Sequence, residues 1–149
     1  MQIVIPKRYP ALTPNRLLIF LAGPVLGGGD WQAQLIKEFM VKAKQSWPNS
    51  FYDRVYKDIL FVVPCRWTAD HELASHFVQV YEETPKSNRV NSSQTYWETV
   101  FLHGLAEGMA KGLIVFGLFP ESKDNPRSDG NPYAIDTYGE VARYHQMMN

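Results

Sequence analysis

Apolar residues in this chain come in unbroken runs that stop at glycine or proline. Leu17-Leu18-Ile19-Phe20-Leu21, within Arg16–Ala22, ends at Gly23-Pro24. Ile59-Leu60-Phe61-Val62-Val63 ends at Pro64, and Leu113-Ile114-Val115-Phe116 ends before Pro120. Runs without polar alternation predict strands buried on both faces. Gln2-Ile3-Val4-Ile5 predicts a shorter strand, which Pro6, Pro10 and Pro14 keep from extending.

Between these runs the period changes to that of a helix. Asp30 is placed to cap a helix starting at Trp31, with Leu35, Ile36, Phe39 and Met40 on one face and an end near Trp47-Pro48-Asn49. Residues 69–83 predict a second helix with Leu73, Phe77, Val80 and Tyr81 inward. Thr84–Ser93 reads as a surface loop, and a helix is predicted from Gln94 to about Met109, weakened by Gly104 and Gly108. Glu121–Pro132 is rich in turn formers and reads as a loop, and a last helix begins near Asp136.

Buried strands alternating with amphipathic helices predict an α/β protein: a small doubly wound, mainly parallel sheet flanked by helices, Rossmann- or flavodoxin-like in class. Ligands of such sheets bind outside the carboxyl ends of the strands. Those ends are Gly23-Pro24, Pro64-Cys65-Arg66 and the loop from Gly117 to Tyr133.

The length of 149 residues suits one domain spanning residues 1–149. Fifteen Lys and Arg balance fifteen Asp and Glu, which argues against a nucleic-acid partner bound through many phosphates. No run of about 18 apolar residues occurs, so no membrane span is expected. Met1–Pro10 lacks the apolar core of a signal peptide, and the single Cys65 can form no internal disulfide, so the expected compartment is the cytoplasm.

Several chemistries lack their motifs. Gly27-Gly28-Gly29 is followed by Asp30-Trp31-Gln32, which completes neither a Walker loop nor a dinucleotide fingerprint. His71 and His76 are five apart, about 140° around a helix, whereas a zinc helix needs i, i+4. His103 and His145 fall on predicted helices as structural residues, and no G-x-S-x-G elbow is present. Cys65, without a nearby histidine in sequence, reads as a buried thiol. Neither a metal nor a cofactor is expected.

Carboxylates remain: Glu98 after Trp97, and Asp136 and Glu140 bracketing one turn of the last helix. Singly, acids near helix N-termini are ordinary dipole partners. Their shared place on the ligand side of a parallel sheet, with Trp31, Tyr96, Trp97, Tyr133 and Tyr138 near the same loops, suits a sugar or a planar heterocycle.

In order along the chain, Leu18–Pro24 with Gly27-Gly28-Gly29-Asp30-Trp31-Gln32, then Val63-Pro64-Cys65-Arg66, Tyr96-Trp97-Glu98 and Asp136-Thr137-Tyr138-Gly139-Glu140-Val141-Ala142-Arg143 resemble the nucleoside 2-deoxyribosyltransferase-like proteins. The resemblance touches most of residues 17–144. It maps the nucleophilic glutamate onto Glu140, with Glu98 or Asp136 as the acid that protonates the departing base. It implies a substrate pocket containing Gly23, Pro24, Gly28, Asp30, Trp31, Arg66, Trp97 and Tyr138. Related nucleotide hydrolases carry arginines in the first glycine loop, where this chain has Leu26 and Gly29, so an unphosphorylated nucleoside or nucleobase is the expected ligand.

The resemblance therefore implies cleavage or transfer at an N-glycosidic bond through a covalent glycosyl-enzyme. The alternatives are a hydrolase using water as acceptor and a non-catalytic nucleotide-binding module. Family members build active sites at subunit contacts, which implies a homo-oligomer. They also continue past the glutamate helix into another strand, whereas this sequence stops nine residues beyond Glu140. Either the sheet is one strand shorter than the family's, or Gln2–Ile5 or a neighbouring subunit completes it.

Overall fold

A computed structural model describes residues 1–6, 8–10, 15–78 and 94–147. Four strands, β1 (Gln2–Val4), β2 (Leu17–Ala22), β3 (Ile59–Val62) and β4 (Gly112–Phe116), form one sheet in the order β1-β3-β2-β4. Every pairing is parallel, with Ile3 and Ile19 flanking Phe61, and Phe20 opposite Ile114. The helices are α1 (Trp31–Ser46), α2 (Asn49–Val55), α3 (Gln94–Ala106) and α4 (Ile135–Met147).

Alternate residues of each strand feed two separate cores, as a pleat of period two requires. Ile3, Ile5, Ile19, Leu21, Ile59, Phe61 and Val63 pack with Ala33 and Ile36 of α1. Val4, Leu18, Phe20, Ala22, Leu60 and Val62 face Trp97, Phe101 and Leu102 of α3 and Tyr144 of α4. Helices therefore cover both faces, which makes the sheet doubly wound and accounts for its uninterrupted apolar strands. The short N-terminal strand extends the sheet beside β3, while β4 lies at the opposite edge with Leu113 exposed.

Three local expectations need correction. The helix expected over 69–83 does not form in its described part, which holds turns and a 3-10 segment at Ala74–His76. Phe77 instead bridges in parallel to Ile3, and the Val78 N–H donates to the Ile3 carbonyl at 2.9 Å, so pairing with the sheet edge overrides the helical pattern. Leu73 and Phe77 are buried as expected. Val80, Tyr81 and the expected loop at Thr84–Ser93 lie outside the described residues.

The second correction concerns α2, which follows Pro48 where no helix is expected. None of its side chains is fully buried, and Val55 at its end packs only partly against the core, so its core-facing period is weak. The third is Asp30, which stands at the start of α1 but makes no side-chain cap bond. Its carboxylate faces His71 instead, Oδ2 to Nε2 at 3.4 Å. Among the described residues, no helix is long and apolar enough to cross a membrane.

Candidate functional site

Parallel topology decides which helix ends meet. Helices α1 and α4 each follow a strand, and α3 precedes one, so all three begin at the carboxyl edge of the sheet. The starts of these helices carry Asp30 and Trp31, Gln94, and Asp136, with Glu98 and Glu140 one turn further along α3 and α4.

Trp31 is the pillar of the first loop. Its indole Nε1 donates to the Pro24 carbonyl at 3.3 Å, and its ring lies 5.3 Å from that of Phe119. The backbone at Gly23 and Gly117 approaches the flat indole so closely that a Cβ at either position would strike it. A Cβ at Gly28 would likewise collide with the Pro24 carbonyl, so the loop turns back on itself only because that residue is glycine. The Ser122 N–H donates to the Gly27 carbonyl at 2.6 Å, tying the β4–α4 loop to the glycine loop.

That second loop is organised by Arg127. Its backbone N–H donates to Glu121 Oε1 at 2.7 Å, and its guanidinium grips Asp129 through Nε at 2.6 Å and Nη2 at 2.8 Å. Its Nη1 lies 3.8 Å from Asp136 Oδ2 at the start of α4. Arg127 has no signature in the sequence, because its partners are spread over a loop without periodicity.

Trp97 is fully buried, donating Nε1–H to the Arg8 carbonyl at 2.8 Å and packing against Phe20 and Phe101. It therefore supports α3 from below. Tyr138, 59% exposed, stands at the rim on the first turn of α4. Cys65 is buried, and desolvation, helped by the charges of Asp30 and Glu98, pushes its thiol up to about 12. It is a neutral group at physiological pH.

The carboxylates of α3 and α4 act on one another's ionisation. Along α4, buried Thr137 and Tyr144 stand three residues before and four after Glu140, so Glu140 shares their inward face. Burial, then the charges of Glu98 and Asp136, raises Glu140 to about 7, while Arg143 opposes the shift. Glu98 is also raised, first by desolvation and then by Asp136, against the lowering effects of Gln94 and Arg66. Asp136 remains at the surface, its side chain 85% exposed. Interacting carboxyls lose their protons stepwise, so a cluster of this kind holds protonated and ionised members together near neutrality.

One amide hydrogen bond reaches Glu98, and two others hold the amide that makes it. Gln94 Nε2 donates to Glu98 Oε1 at 2.7 Å and to the Pro64 carbonyl at 2.8 Å, while Arg66 Nε donates to Gln94 Oε1 at 2.7 Å. Gln94 was detectable from its i, i+4 spacing to Glu98, a pairing that helices favour, although the sequence alone does not reveal the Arg66 contact. His71 also joins this edge: it stacks on Trp67 at 4.1 Å and faces Asp30. Among the described residues, no group of three or more His, Cys, Asp or Glu side chains could hold a metal ion.

No protein-family model, curated protein sequence or solved structure matches the chain.

Proposed function

We propose that the chain cleaves or transfers at the N-glycosidic bond of a (deoxy)nucleoside, through a glutamate nucleophile and a glycosyl-enzyme intermediate. The observation that carries this reading is the pair Glu98 and Glu140, electrostatically coupled at the carboxyl edge of the sheet. Glycoside chemistry requires one ionised carboxylate to attack the anomeric carbon and one protonated carboxyl to serve the leaving group. Mutual repulsion in a partly desolvated site provides that division. The negative field also stabilises an oxocarbenium-like transition state.

The same field argues for an uncharged ligand. Asp30, Glu98, Asp136 and Glu140 border the site, and the nearby Arg66 is engaged by Gln94. A phosphate would meet net repulsion there, whereas a nucleoside would not. Exposure of Asp136 and Tyr138 at the rim favours a second reading in which water competes with an acceptor base and hydrolysis accompanies transfer. The resemblance further implies a homo-oligomer, which sedimentation of the purified chain tests directly.

The decisive assay incubates the protein with several deoxynucleosides, with and without an acceptor base, and follows base release and exchange by chromatography. Turnover is expected, with a loss of at least about 100-fold in Glu98→Gln and Glu140→Gln. Intact nucleosides after prolonged incubation with folded protein would reject the proposal.

A further inference from the structure

The carboxylate pair is asymmetric in its hydrogen bonding. On α3, Gln94 sits one turn before Glu98, and its amide is held at both ends. The carbonyl oxygen accepts from Arg66 Nε at 2.7 Å. The amino group is thereby turned toward the Pro64 carbonyl at 2.8 Å and Glu98 Oε1 at 2.7 Å. Both of those atoms act as acceptors in this arrangement. An amide fixed this way presents N–H to the carboxylate and favours the ionised form. A flip of the amide would set its oxygen against the Pro64 carbonyl and its NH₂ against the Arg66 guanidinium, losing all three bonds.

Among the described residues, Glu140 lacks a counterpart to this amide in the groups that shape its ionisation. It meets Glu98 from α3, Asp136 and Tyr144 from its own helix, and the opposing cation Arg143. Glu98 in turn faces Arg66 and Cys65 beyond β3, and Asp136, Glu140 and Tyr144 on α4. Cys65 and Tyr144 are neutral near pH 7, both raised chiefly by burial. The cations thus divide between the two acids, but among the described residues only Glu98 receives a directed amide donor.

We propose that Gln94, oriented by Arg66, is a positioning residue that holds Glu98 as the ionised member of the pair and leaves Glu140 as the protonated one. This rests on the glycosidic reading above for its catalytic meaning, and it reverses the roles that the resemblance implies. An Oε lone pair of Glu98 attacks the anomeric carbon as the carbon–nitrogen bond breaks. The bonding electrons pass to the base nitrogen, which takes the proton from Glu140. In the second half-reaction Glu140, now a carboxylate, removes a proton from the incoming base or water. That acceptor displaces Glu98 from the anomeric carbon, returning the electron pair to the carboxylate and restoring both residues. Burial together with the charges of Glu98 and Asp136 lifts Glu140 to about 7, in keeping with this order.

The test titrates side-chain ¹³C-labelled glutamates by NMR in the intact chain, in wild type and in Gln94→Ala. In wild type Glu98 ionises at lower pH than Glu140. In Gln94→Ala the Glu98 midpoint rises by about one pH unit, a tenfold change in proton affinity, while that of Glu140 falls. A merely loosened site would instead bring both midpoints down toward ordinary glutamate behaviour, and that result, or an unmoved Glu98, overturns the proposal. Gln94→Met, which keeps the side-chain length and the net charge of the site but removes the amide donor, gives the same direction of change if Gln94→Ala does not fold. A 2′-fluoro-substituted nucleoside, whose fluorine slows breakdown of the intermediate, separates the catalytic claim from the chemistry itself. A glycosyl label on the peptide containing Glu98 supports the assignment, and a label on Glu140 overturns it while leaving the glycosidic reading intact. With neither label nor base release the glycosidic reading fails, and the titration alone decides the role of Gln94.

Discussion

Replacing Glu140 by glutamine is expected to stabilise the protein above neutral pH while abolishing catalysis. The carboxyl is raised from 4.5 to about 7 because burial and the charges of Glu98 and Asp136 oppose its ionisation. The folded chain therefore binds this proton more tightly than the unfolded chain. Below about pH 4.5 both states are protonated and the group makes no difference. Between 4.5 and about 7 the unfolded state alone ionises, so this group's contribution to stability is lost as pH rises, and above about 7 the full penalty is present.

Each tenfold in proton affinity is worth about 1.4 kcal/mol, which sets a ceiling of about 3 kcal/mol. Glu140 keeps partial contact with solvent, and screening reduces the figure to about 1–2 kcal/mol. Glutamine keeps the shape and removes the charge. Thermal unfolding followed by circular dichroism from about pH 5 to about pH 8 should show Glu140→Gln and wild type converging at the acidic end. Toward pH 8 the variant should melt higher, by roughly 2–8 °C. A variant that is less stable at pH 8, or a difference that does not change with pH, would refute the claim that the site strains this carboxylate.

Other outcomes follow from the same geometry. If Glu140 donates the proton to the leaving base, kcat falls as pH rises through the region near 7, and an activity that climbs there instead would identify Glu140 as the attacking carboxylate. Gly117→Ala drives a methyl group into the Trp31 ring, whose nearest carbons lie 2.7–2.9 Å from the Cβ position, and should lower stability by about 1–3 kcal/mol in urea unfolding. Cys65, buried and pushed up to about 12, should resist a thiol-specific disulfide reagent at pH 8 in the native state and react at once in denaturant.

The strands and the parallel sheet were legible because burial on both faces writes itself as consecutive apolar residues. Strand β4 was anticipated to within one residue, and α1 and α4 to within one or two. The expectation failed at 69–83 because Leu73 and Phe77 satisfy a helical period while their packing is served equally by turns and an edge bridge to Ile3. Helix α2 went unseen because it fully buries none of its side chains and so leaves only a weak period. The site was legible as residue types in order, but not as a set of interactions. Trp31 and Trp97, expected beside a ligand, turn out to carry the glycine loop and the α3 core respectively.

What the sequence determined by itself is local: where the buried strands and the core-facing helices lie, and which carboxylates stand near helix starts. These depend on periodicity and on glycine and proline, properties read over a few residues. Only the tertiary structure decided that Glu98 and Glu140 share one electrostatic field, that Arg66 turns the Gln94 amide toward Glu98, and that Asp30 faces His71 rather than capping its helix. Proton affinity and amide orientation depend on desolvation and on charges brought close by the crossing of distant elements. Those quantities arise when the sheet assembles and gathers three helix starts at one edge.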